Sequence, residues 1–174
     1  MRKNCIILII IFWLVGTLPV SPDFDRKADR LKRIVSRIVK YHKTEDFSPY
    51  PDINNLDYSE GLSLIIRVLD RSNDDSIKKS IMWFFLNYYE ISARDSIINQ
   101  LKSSNEDIKE LAINSLGGSE NKQNADVIYP LLKDKNPEIR KAVLKSLARL
   151  GDKRVFEGLD DKEPGLKESG VYNI

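Results

Sequence analysis

Few residues in this chain could carry bond-making chemistry. There is one cysteine, Cys5, and one histidine, His42. A Ser-His-Asp or Cys-His mechanism needs a base beside its nucleophile, so any such mechanism would have to run through His42 alone. Cys5 lies inside an apolar N-terminal run, and the chain past it has no thiol for a disulfide or a soft-metal site. A metal would have to be held by oxygens only. The stretch that most resembles such a site is Asp70–Asp75, DRSNDD. It fails as a calcium loop, because Asp75 stands where the tight turn needs glycine and Ile81 where the bidentate glutamate belongs. Gly117-Gly118 reads as a helix stop, with no phosphate-cradling loop around it. These residues point to a protein without catalysis, cofactor or metal.

Charge narrows the partners. The 174 residues are 41% hydrophobic and 31% charged, which suits one globular domain with a modest core. Basic residues number 28 and acidic residues 26. Without Arg2 and Lys3 the balance is 26 to 26, and a nucleic-acid binder would show a basic excess. The expected partner is a protein, not a nucleic acid.

The N-terminus, residues 1–21, reads as a signal peptide or N-terminal anchor. Arg2 and Lys3 precede an unbroken apolar run, Cys5–Val15, of signal-peptide length and short for a membrane span. Small residues near its end (Gly16, Thr17, Ser21) form no A-x-A pattern, so both cleavage and retention as an anchor stay open. The expected location is exported, periplasmic or extracellular, with membrane anchoring as the alternative.

Residues 22–58 hold an amphipathic helix and a loop. Leu31, Ile34, Val35, Ile38 and Val39 fall on one helical face. Between Asp25 and Lys43 eight basic residues stand against two acids. One reading is a basic helix drawn to an anionic membrane or an acidic partner, giving membrane association through residues 1–43. The other is a terminal helix docking its aliphatic stripe, which five aliphatics on one face favour. Thr44–Asp57, punctuated by Pro49 and Pro51, is a loop.

Helices are then expected over Ser59–Arg71, Ser76–Glu90, Ala93–Leu101, Asn105–Leu116, Ala125–Leu132 and Pro137–Leu150. Ser76–Glu90 is apolar nearly all round, which predicts a central core helix. Pro130 should shorten or kink Ala125–Leu132. Pro137–Leu150 has the clearest ends: Asn136 as N-cap, Pro137 at the first position, Gly151 just past the last. A short helix over Asp152–Leu159 follows, and residues 160–174 read as a flexible tail.

These helices repeat. At an offset of 31 residues Ile128 meets Ile97, Leu132 meets Leu101, Asn136 meets Asn105, Ile139 meets Ile108 and Leu147 meets Leu116. One step further back, Ile77 and Lys78 precede Ile108 and Lys109 by the same 31. Each unit is a short helix, a turn carrying Asn or Asp, and a longer helix. One such pair cannot bury its apolar face alone, so about three must stack. Small residues Ala142, Ser146, Ala112 and Ser115 would let the longer helices approach closely.

Asp134, Pro137, Ile139-Arg140, Ala142, Leu147, Leu150, Gly151-Asp152 and Leu159 resemble the short HEAT-like repeat, the type also found in bilin lyases. The resemblance covers residues 59–159 and is strongest in the last unit. It implies an all-α fold, an α-solenoid of stacked antiparallel helix pairs with about three units and capping helices. It also implies a protein-protein interaction scaffold, with the short helices lining one concave face. On that face the 31-residue register aligns Asp95 with Asp126 and Lys102 with Lys133. Arg67 joins Asn99 between them. These six residues are the candidate binding surface, set against the plainer reading of a solvated face. Lyase activity is not implied, since nothing beyond the repeat skeleton matches such an enzyme. Arg140 is expected to be structural.

Overall fold

A computed structural model describes residue 26, residues 29–36 and residues 57–160. The expected signal peptide or anchor over residues 1–21, His42, the expected loop over Thr44–Asp57 apart from Asp57, and the expected tail beyond Asp160 lie outside the described residues. Among the described residues every regular element is helical.

The order is α1 (Tyr58–Arg71), α2 (Asp75–Asn87), α3 (Arg94–Gln100), α4 (Glu106–Gly117), α5 (Asn124–Ile128) and α6 (Pro137–Leu150). Turns of 3-10 helix lead into α3 (Ile91–Ala93), extend α5 (Tyr129–Lys133) and close the sequence of elements (Lys153–Asp160). Three antiparallel pairs result: α1 with α2, α3 with α4, α5 with α6. The longer helices α2, α4 and α6 pack in one row, each against the next.

The turn before each longer helix is the same small machine. Asp74, Asn105 and Asn136 are N-caps with extended backbone. Each side-chain oxygen accepts backbone N–H groups of its helix's first turn, at 2.8 Å from Ser76, 3.1 Å from Asp107 and 2.9 Å from Glu138. Two residues earlier, Ser72, Ser103 and Asp134 accept the N–H of the cap itself. A short polar side chain bonding the backbone two residues on holds the turn open for a helix start. The short helices α3 and α5 have no side-chain cap and start from 3-10 or turn geometry instead. Pro130 falls in the 3-10 extension of α5, so the helix is shortened as its missing N–H requires.

The core runs continuously through the stack. Leu64, Ile65, Val68 and Leu69 of α1 join Ile81, Met82, Phe84 and Phe85 of α2 and the buried faces of α4 and α6. Phe84 packs edge-on to Phe85 with centroids 5.5 Å apart. Each such side chain removed from water contributes roughly 1.5–3 kcal/mol. Leu31, Ile34 and Val35 of the N-terminal helical segment belong to the same core. The amphipathic stripe is thus docked over its described part; Ile38 and Val39 lie outside it.

One expectation needs correction. α2 is not buried all round: Trp83 is 52% exposed, and Leu86 and Tyr89 only half-buried. One stripe packs inward and the second faces partly out. The helix α4 ends at the expected Gly117-Gly118 pair, with Gly117 its last residue and Gly118 its C-cap in ordinary right-handed backbone. The left-handed cap occurs at Gly151, with φ 69°.

Candidate functional site

Between neighbouring units the polar contacts nearly all join residues about one repeat apart. The Asn105 amide donates to the Asp75 carboxylate at 2.7 Å, and the Asn136 amide donates to the Glu106 carboxylate. In each case a cap residue binds an acid in the first turn of the preceding longer helix. Lys79 reaches Asp107 at 2.5 Å and Lys109 reaches Asp134 at 3.1 Å. Arg140 donates to the carbonyl oxygens of Asp134 and Lys135, so its guanidinium holds the turn, a structural role. Burial pushes the Asp134 carboxyl up, but the Asn136 N–H and the Lys109 ammonium outweigh it and hold the group below its ordinary value.

Beside the short helices, Asn124 is fully buried. Its amide donates to Ser119 Oγ at 2.7 Å and to the Leu116 carbonyl at 3.2 Å, while its oxygen accepts from Arg94 at 2.8 Å. At the C-terminal end Arg154 grips Asp152 at 2.6 Å and Asp126 at 2.7 Å, with its guanidinium carbon 4.6 Å from the centre of the Tyr129 ring. The Arg154 hydrogen bond holds Asp152 below the usual carboxylate range. Glu157 accepts from Tyr129 and raises that phenol.

All six candidate residues are exposed: Arg67 on α1, Asp95 and Asn99 on α3, Lys102 just after it, Asp126 on α5 and Lys133 in the 3-10 extension. Two have partners within the fold. Asp95 lies 3.6 Å from Arg94, and Asp126 is held by Arg154. Asp126 therefore spends its charge tying the last turn to the stack.

Sequence reasoning missed a groove of about 300 Å³ across the longer helices. Its walls are Leu86 of α2, Glu110 and Asn114 of α4, and Glu138, Ala142 and a basic row on α6. That row is Lys141, Lys145 and Arg149, spaced i, i+4, i+8 along one line. Trp83 lies one turn before Leu86 and is the most exposed aromatic of the stack. The signal was present: the 31-residue register aligns Lys79, Glu110 and Lys141, and also Trp83, Asn114 and Lys145. Applied to the outward positions of the longer helices, it marks this surface.

Among the described residues no group of three His, Cys, Asp or Glu side chains could hold a metal ion, and no helix is long and apolar enough to cross a membrane. What the surface offers is charge, an aromatic ring and shape. Residues 94–162 match the family model described as HEAT repeats. No curated protein matches the chain.

Proposed function

We propose that this chain, whose residues 94–162 match the HEAT-repeat family model, is an exported, non-catalytic scaffold that binds another protein. The observation that carries this reading is the division of labour in the stack. The polar groups between units are used up internally, in caps and in contacts one repeat apart. Outward positions of the longer helices instead form a groove with a basic row, and an exposed tryptophan stands one helical turn before its Leu86 wall. A stack in which each unit touches only its neighbours offers extended surface at little cost to its core. Export rests on the positive n-region and apolar run of Met1–Val15.

The test is affinity capture of the full-length chain from envelope extract of its host, followed by reconstitution from purified components. A defined protein bound at fixed stoichiometry is the expected result. A chain that is recovered alone, and that reconstitutes with nothing, overturns the scaffold reading.

A further inference from the structure

We propose that the groove across α2, α4 and α6 binds an acidic peptide segment carrying one apolar anchor. The inference rests on the scaffold reading above and names the partner chemistry of that surface.

Charge complementarity sets the occupant. Lys141, Lys145 and Arg149 stand on successive turns of α6, about 6 Å apart along the helix axis. Lys141 has a partner of its own, Glu138 at 3.3 Å. Lys145 and Arg149 have no such partner within the described fold, and Arg149 is exposed. Two cations one turn apart, lining a groove, select carboxylates. In an extended peptide alternate residues recur at about 6.6 Å, close to the spacing of the row. Acids at alternate positions would therefore meet Lys145 and Arg149 together.

The opposite wall fixes the peptide's other face. Glu110 on α4 repels an acid placed over the middle of the groove. The acids are thus confined to the α6 side. Leu86, with Trp83 one turn before it on α2, presents apolar surface that an aliphatic or aromatic side chain can cover. A nucleic acid fits less well: only the α6 wall is cationic, that wall also carries Glu138, and Glu110 stands on α4.

The probe is a fluorescent peptide with glutamates at alternate positions followed by leucine, titrated into the full-length chain by anisotropy. Its controls are a lysine-for-glutamate version, a leucine-to-serine version and a labelled single-stranded DNA. The expected result is binding of the acidic peptide that weakens with salt. It is weakened at least tenfold in Lys145→Glu/Arg149→Glu, and severalfold in Trp83→Ala or in the serine peptide. Thermal melts of both variants check that the fold is kept, and Lys145→Gln/Arg149→Gln replaces the reversal if it is not. No binding to the wild-type chain, equal binding to the charge variants, or preference for the DNA overturns the groove assignment. The two readings fail separately: a reconstituted partner that still binds the charge variants removes the groove and leaves the scaffold, whereas a chain that reconstitutes with no protein removes the scaffold.

Discussion

Gly117 lies directly against Ser146. A Cβ built on the glycine would fall 2.2 Å from Ser146 Cβ and 2.7 Å from its Cα. The helices α4 and α6 therefore approach as closely as they do because one of them has no side chain at that point. Ser146 is fully buried and its Oγ donates to the Ile113 carbonyl across the same seam at 3.2 Å.

Gly117→Ala should destabilise the stack by about 1–3 kcal/mol or more, since the obstruction includes backbone. Gly118→Ala one residue later meets the Asn114 carbonyl at 3.2 Å and the Ser115 carbonyl at 3.8 Å, in right-handed backbone, and should cost far less than Gly117→Ala. Thermal melts of the two variants make the comparison. Equal melting temperatures would contradict the close packing of α4 on α6.

The caps should count twice. Asn136 both caps α6 and binds Glu106 of the preceding unit. Asn136→Ala should cost about 1 kcal/mol for the cap alone. A double-mutant cycle with Glu106→Ala isolates the contact between units, and a coupling of about 0.5 kcal/mol or more is expected. Additive effects would mean the cap acts on its own helix only.

Asn124 is the most committed polar side chain of the fold. Asn124→Leu leaves the Ser119 hydroxyl, the Leu116 carbonyl and Arg94 without their shared partner. Ser119 Oγ keeps its own bond to the Leu116 carbonyl at 2.7 Å, so the cost falls on the three deleted hydrogen bonds, each worth about 0.5–1.5 kcal/mol. The variant should lose about 2–4 kcal/mol in denaturant titration, and a loss under 1 kcal/mol would show that water replaces the amide.

Acid should act through Asp134. Its folded value is lowered below the ordinary 3.8. The stabilisation is therefore complete well above that value and is lost as pH falls through the folded value. Asp134→Asn should flatten the stability profile below about pH 4 and lower stability at neutral pH, where Lys109 loses its partner. A pH series of urea midpoints reads both effects, and an unchanged acid limb in the variant would assign the acid sensitivity elsewhere.

Much of the fold was legible locally. Asn136, Pro137 and Gly151 mark the ends of α6 because each choice answers a backbone need within four residues. Pro130 shortens α5 for the same reason. The exposure of Trp83 was not legible, because a helix with two apolar stripes does not say which stripe faces the stack. The groove was not legible because spacing along one helix does not say which outward positions of neighbouring helices line a common depression, although the register holds for Glu110 and Lys141.

The sequence alone determined the repeating unit, its capped turns and the need to stack, since these follow from periodicity and from backbone groups satisfied within a few residues. Tertiary structure decided the rest: which stripe of α2 is exposed, that Gly117 seats Ser146, that Asn105 binds Asp75, and that Lys145 and Arg149 line a groove with Leu86. Those relations join residues from different units. They depend on how one helix pair is set against the next, and hydrophobic spacing along one helix does not carry that angle.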